Sequence, residues 1–207
     1  MIKSKTLLSG IGDNKAIKKY YDNWSNDYDK TLNLWNYKAP INTANVLKEN
    51  TKLIPKKILD LACGTGLFAQ EIIKIYPKSI IDGCDISKKI LIQAKKKNIY
   101  RKLFHTNFEQ RINLSTKYDL VSCIGALTYV KDHLNFLFNV SKLTNSSGYF
   151  VFTHRYDLWK NQQFQKILKY QSEIWKVIFT SKPLLYLPKN KDFTNKIKIK
   201  IILLKKI

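Results

Sequence analysis

The sequence predicts an α/β fold in which a mostly parallel sheet carries helices on both faces. Two observations carry this prediction. From about residue 56 onward, short apolar runs of strand length alternate with helix-like segments, the pattern of parallel strands joined by crossover helices. The intervening segments also present apolar stripes at helical spacing, as packing on a sheet demands. With 207 residues, 44% hydrophobic and 25% charged, the composition is that of a globular unit rather than a disordered or fibrous chain.

Residues 57–61 (Lys-Ile-Leu-Asp-Leu) read as the first strand, 79–84 as the second, 102–105 as the third, 118–123 as the fourth and 148–153 as the fifth. After the first strand, Leu67, Phe68, Ile72 and Ile75 share one helical stripe. After the second, Ile86, Ile90, Leu91 and Ala94 share another, with Lys95, Lys96 and Lys97 near the helix end, where cations oppose the negative pole of the dipole. Leu137, Val140 and Leu143 mark a helix over 134–143 that stops before the turn cluster Asn145-Ser146-Ser147-Gly148. Beyond residue 155 the alternation changes. Residues 159–172 read as helix, and 174–179 and 196–204 as strands with no helix between them, which predicts a terminal antiparallel pair. The alternating lysines of 196–201 suit an edge that must resist pairing, whereas 201–204 suit burial on both faces. Residues 181–195 read as a long polar loop.

The formal charge of +22 would ordinarily point to nucleic acid, a membrane surface or an acidic partner. Here 34 lysines stand against three arginines, alongside 17 asparagines and 25 isoleucines, the joint excess that an AT-rich coding sequence produces. Lysine supplies a diffuse point charge, whereas specific phosphate or base recognition favours the arginine fork. No apolar run reaches membrane-spanning length, and the opening residues hold only a Leu7-Leu8 patch where a signal peptide needs more. No membrane insertion and a cytoplasmic location are therefore expected. Cys63, Cys84 and Cys123 are too widely spaced for a disulfide framework or a paired-cysteine zinc site, and small buried side chains account for them without metal.

The informative segment is Ile58-Leu59-Asp60-Leu61-Ala62-Cys63-Gly64-Thr65-Gly66-Leu67-Phe68-Ala69. Glycines between a strand and a helix allow tight turning and close ligand approach, and the helix N-terminus offers oriented N–H groups. Gly64-x-Gly66-x-x-Ala69 satisfies the loose dinucleotide pattern, and Asp85 sits near the spacing of a ribose-binding acid. Asp60 beside the turn would repel a dinucleotide phosphate.

The string LDLACGTG with the acid at the end of the second strand resembles the class I S-adenosylmethionine-dependent methyltransferases. The resemblance implies a Rossmann-like seven-stranded sheet of order 3-2-1-4-5-7-6 with the last strand antiparallel. It implies that Asp60 and the backbone of Ala62, Cys63, Gly64 and Gly66 line the methionine portion of S-adenosylmethionine, and that Asp85, followed by Ile86, holds the ribose. Asn107 stands where the family often has Asp; its amide oxygen and the N–H of Phe108 are expected at the adenine. Cys123 and Ile124 end the fourth-strand motif near the cofactor, and Asp119 reads as a strand-start residue. Tyr21-Asp22-Asn23-Trp24-Ser25-Asn26-Asp27-Tyr28-Asp29, with Tyr37-Lys38-Ala39-Pro40, looks like the N-terminal element of a methyltransferase-like subfamily named after the Williams–Beuren chromosomal region. Gly83-x-Asp85-Ile86-Ser87, Tyr100, Gly125-Ala126-Leu127 and Thr153-His154-Arg155 continue that likeness. Trp24, Tyr28 and Tyr37 are then expected over the methionine end, or packed within a lid helix.

One methyltransferase unit over 1–207 is expected: a helical lid over 1–50, a cofactor-binding core over 56–155, and a helix with antiparallel strands over 156–207. Methyl transfer from a sulfonium, with S-adenosylhomocysteine as product, gains most from alignment and water exclusion. Where a base is required, His154 is the leading candidate, with Tyr129 and His133 behind it. A small-molecule acceptor is favoured by the limited space for substrate determinants. An RNA or protein acceptor, and a non-catalytic cofactor-binding protein, remain as alternatives; the oligomeric state is open.

Overall fold

The computed structural model describes residues 13–207 apart from 53, 192 and 194–196. The first twelve residues of the expected lid, parts of the expected 181–195 loop and the first residue of the expected last strand lie outside the described residues. The strands are β1 (Lys57–Leu61), β2 (Ile80–Asp85), β3 (Tyr100–His105), β4 (Tyr118–Cys123), β5 (Thr144–Arg155), β6 (Trp175–Thr180), β7 (Leu184–Leu185) and β8 (Lys198–Lys206). The helices are α1 (Asn14–Trp24), α2 (Tyr28–Leu34), α3 (Ala39–Asn50), α4 (Leu67–Ile75), α5 (Lys88–Lys96), α6 (His133–Leu143), α7 (Tyr156–Asn161) and α8 (Phe164–Tyr170).

The sheet runs β3-β2-β1-β4-β5-β8-β6, with the two-residue β7 pairing to β8. Strands β1 to β5 are mutually parallel where they pair, and β8 is antiparallel to β5, β6 and β7. With the short β7 set aside, this is the expected order and the expected sense of the last strand. The central strands are near-continuous apolar runs because helices cover both faces. On one face α3 and α4 bring Leu47, Phe68 and Ile72 onto Ile58, Leu120, Val151 and Leu203. On the other, α6 to α8 bring Leu137, Val140, Trp159 and Phe164 onto Leu59, Val121, Phe150 and Phe152. Alternation along β5 thus sends Phe150 and Phe152 to one layer and Val151 to the other.

Polar residues at the strand starts lock the register. Asp119 accepts the N–H groups of Lys56 and Lys57 and the Asn145 amide, the strand-start role expected of it. Asp82, fully buried, is held by the Arg101 guanidinium and the Tyr118 hydroxyl. Lys206 donates to the Ser141 and Thr144 carbonyls, placing a cation at the C-terminus of α6.

Four local expectations are corrected. The lysines of the last strand guard no edge: β8 lies inside the sheet with β6 outermost, and Lys200 lies over the rings of Tyr156 and Trp159. The expected helix over 159–172 is two helices, broken where Gln163 takes a left-handed φ of 49°. The turn cluster before β5 is instead an irregular strand start, where pairing to β4 shifts register and Ser147 has φ 61°. The loop after β6 is not simply polar, because Leu187 and Phe193 are buried against Trp24 and Leu32 of the first two helices.

Candidate active site

The turn after β1 is shaped by backbone that only certain residues hold. Ala62, Gly64 and Gly66 all take positive φ, the last at 91° as the N-cap of α4. A Cβ on Gly66 would stand 2.9 Å from the Tyr100 ring, and one on Gly83 would stand 2.8 Å from it. These two glycines clear a path for Tyr100, which crosses from the start of β3 to donate to Asp60 Oδ2 at 2.8 Å. Ser122 on β4 donates to Asp60 Oδ1 at 2.8 Å. Asp60 is therefore buried and gripped from both sides, yet no cation is among the groups acting on it, and burial pushes its carboxyl up to about 6.

Asp85 ends β2 on the opposite side of the turn. Its Oδ2 accepts the Gly64 N–H at 3.0 Å and its Oδ1 the Ser87 N–H at 2.9 Å. Burial outweighs these bonds and holds this carboxyl too at about 6. Two raised carboxyls flanking a glycine turn form an acidic end suited to ligand hydroxyls and an ammonium, not to phosphate.

Two narrow cavities meet at the turn, one of about 50 Å³ and one of about 30 Å³. Tyr28, Ala62, Gly64 and Ile124 line both. The larger adds Ile17, Tyr21, Asp85, Ile86, Phe108, Gly125, Ala126 and Tyr129; the smaller adds Tyr37, Pro40, Asp60, Cys63, Leu67 and Phe68. The Tyr28 ring lies over Gly64, 3.9 Å from where a Cβ would be. Ligand sites commonly enclose ~300–1,000 Å³, so the helices carrying Tyr21 and Tyr28 must swing away to admit a nucleoside-sized ligand.

Those helices are fastened to the turns that follow β1 and β2. Asp22 accepts from Ser87 Oγ, the N-cap of α5, at 2.5 Å, and pairs with Lys18. Asp29 accepts from Thr65 Oγ1, between the two glycines, at 2.5 Å, and pairs with Lys97 at 2.7 Å. Above them Tyr20, Tyr21, Trp24, Tyr28 and Trp35 pack as an aromatic cluster.

Of the residues singled out in the sequence, Tyr28, Tyr37, Asp60, Ala62, Cys63, Gly64, Asp85, Ile86, Phe108, Ile124 and Tyr129 line these cavities. Trp24, Gly66, Asn107, Cys123 and His154 do not. Trp24 is buried within the aromatic cluster, Gly66 supports Tyr100, and Cys123 lies in the core. The Asn107 side chain accepts the Glu109 N–H in its own turn. His154 is buried on the layer of α6 and α8, in contact with Phe164 and His133 and bonded to Gln162 at 3.0 Å. Desolvation drives its pKa down to about 3, so it is a neutral packing residue. Tyr129 does face the cavity, its hydroxyl 3.0 Å from that of Tyr21, and burial keeps it protonated. Tyr21, Gly125 and Ala126 line the site without having been singled out for it, and Tyr100 and Ser122 position Asp60. Their signal lay in the subsidiary motif residues, whose roles depend on long-range contacts. Cys63, Cys84 and Cys123 are free and buried, with the Cys84 thiol pushed up to about 12. Among the described residues no group of three or more His, Cys, Asp or Glu is placed to hold a metal ion.

The family described as Methyltransferase domain matches residues 59–150. The malonyl-acyl-carrier-protein O-methyltransferase of Legionella pneumophila is 29% identical over 147 residues, covering 68% of this chain and 50% of that protein. Human methyltransferase-like protein 27 is 33% identical over 123 residues, covering 58% of this chain and 50% of that protein. The chain thus spans about half the length of these curated relatives. Among solved structures, the magnesium protoporphyrin IX methyltransferase of Synechocystis with bound S-adenosylmethionine superposes with a TM-score of 0.69 at 15% identity, covering 96% of this chain and 99% of that one. An N-methyltransferase of Bradyrhizobium japonicum in complex with S-adenosylhomocysteine gives 0.61 at 13% identity, covering 80% and 85%. These likenesses establish the fold.

Proposed function

We propose that this chain, a class I methyltransferase by its fold and its matched domain, carries the methyl group of S-adenosylmethionine to a small-molecule acceptor. The observation behind this reading is the meeting of Asp60 and Asp85 at one glycine turn beneath a lid of tyrosines. Their donor set fits the cofactor: Asp85 and the Gly64 N–H can serve ribose hydroxyls, Asp60 and the turn backbone the ammonium end, and Ile86 and Phe108 the faces of the base. When bound, S-adenosylmethionine supplies a methyl on a sulfonium, which the acceptor displaces in line as the C–S electrons return to sulfur.

The chain's own contribution is alignment and exclusion of water. Tyr28 closes over Gly64, Tyr37 and Tyr129 bound the acceptor side, and the aromatic cluster seals the roof. Tyr129 stays protonated and orients the acceptor by its hydroxyl rather than taking its proton, and His154 stands outside the chemistry. The aromatic N-terminal element and the 33% match to human methyltransferase-like protein 27 support placement in the Williams–Beuren-region subfamily. We read residues 1–207 as one catalytic unit, and the free cysteines fit a cytoplasmic setting. Among the described residues no helix is long and apolar enough to cross a membrane.

Calorimetric titration with S-adenosylmethionine and S-adenosylhomocysteine tests the reading. Micromolar binding is expected, weakened at least tenfold in Asp85→Ala. Absence of heat and of thermal stabilisation in the folded protein would sink it.

A further inference from the structure

Arg155 ends β5 at the carboxyl edge of the sheet, where open α/β sheets bind ligands. Two residues earlier, Thr153 accepts the Gly125 N–H at 2.8 Å, tying the end of β5 to the step that lines the larger cavity. Among the described residues Arg155 is the one lysine or arginine that is buried. Its fork is only half used. Nε and Nη2 donate to Asp157 at 3.1 and 2.5 Å, whereas Nη1 is buried and has no partner. A desolvated guanidinium N–H without an acceptor is unfavourable and marks a place for an anion.

The groups around it are donors too. Tyr129 lines the larger cavity, and burial keeps both Tyr129 and Tyr186 protonated. The Tyr186 and Tyr37 hydroxyls stand 3.7 and 2.7 Å from where a Cβ on Gly125 would be, so these rings converge on the same step. His133 and His154 are neutral through burial, and Asp157 is half-exposed on the outer side. The site is therefore polarised, with acids at the glycine turn and hydroxyl donors at Gly125, and Arg155 stands behind that lining, two residues along β5 from the Thr153 that binds the Gly125 N–H.

Resting on the methyltransferase reading, we propose that Arg155, with Tyr129 and Tyr186, holds a carboxylate of the methyl acceptor, which is a small organic acid. Arginine suits this role because its planar fork meets carboxylates directionally, and Asp157 holds the fork in place from outside.

The test loads the full chain with S-adenosylhomocysteine and measures binding of matched acids and primary amides: benzoate and benzamide, 3-phenylpropionate and 3-phenylpropionamide, octanoate and octanamide. At least one acid is expected to bind tenfold or more tighter than its amide. Arg155→Gln should abolish that preference while leaving S-adenosylhomocysteine affinity within twofold. Asp157→Asn, which releases the rest of the fork, should strengthen acid binding severalfold and serves if the first variant does not fold. Acids and amides behaving alike in the loaded wild type, or an acid preference that survives Arg155→Gln, would overturn the proposal alone. Failure of the folded wild type to bind S-adenosylhomocysteine would remove the methyltransferase reading and this proposal together.

Discussion

Asp60 and Asp85, the acids of the proposed cofactor site, carry a pH dependence that follows from their burial. Each has a folded-state pKa of about 6, above the ordinary carboxylate value, chiefly through burial, with the charge of Asp85 adding to the rise at Asp60 and that of Asp22 to the rise at Asp85. The stability linked to their protons is full below the unfolded pKa and is lost as pH rises through 6, roughly 3 kcal/mol for each two-unit shift. The folded protein thus bears strain at neutral pH that a ligand bringing hydroxyls and an ammonium relieves. Affinity for S-adenosylhomocysteine should accordingly rise from pH 5 to pH 7 by about tenfold per carboxylate and flatten above it. Calorimetry across that range checks this, and Asp85→Asn should weaken binding and remove one step of the rise. A flat profile in the wild type would mean that neither acid ionises to bind the ligand. These acids were legible in the sequence because a strand end and a glycine turn fix them locally. His154 was misleading for the converse reason: strand alternation, not position along the strand, decides that it turns to the α6 and α8 layer.

At the scale of elements, the proposed lid is coupled to the candidate site through side chains of the turns that follow β1 and β2. Asp22 holds the Ser87 cap two residues past Asp85, and Asp29 holds Thr65 between Gly64 and Gly66. With cavities of only about 50 and 30 Å³ beneath it, the lid must open for entry and for product release. Cutting both latches should lower the opening barrier. In Asp22→Ala/Asp29→Ala, dissociation of S-adenosylhomocysteine should quicken about tenfold, followed by stopped-flow tryptophan fluorescence from Trp24 and Trp35. An unchanged rate would place the slow step elsewhere. The core strands β1 and β4 were read to the residue because continuous apolar runs bounded by turns have few alternatives. The lid latches and the closure by Leu187 and Phe193 were not, since each joins segments far apart in sequence and leaves no periodic trace.

For the whole molecule, the charge of +22 has a thermodynamic consequence apart from any partner. Fifteen acids face 37 lysines and arginines, and three of those acids, Asp60, Asp82 and Asp85, are buried away from the surface. Some of the pairs that form, such as Lys18 with Asp22 and Lys74 with Glu71, are local and partly exposed, hence worth ~0–1 kcal/mol each. Surface repulsion is therefore only weakly offset and disfavours the compact state. Salt shortens the screening length from ~20 Å near 20 mM to under 10 Å at 300 mM, which removes most repulsion between neighbouring lysines. If that recovers ~1–2 kcal/mol, the melting temperature of the ligand-free protein should rise by roughly 3–6 °C over this range in sodium chloride. Scanning calorimetry measures it directly. A falling melting temperature would show that the lysines sit in favourable networks, and would turn the excess charge from a compositional load into a structural device.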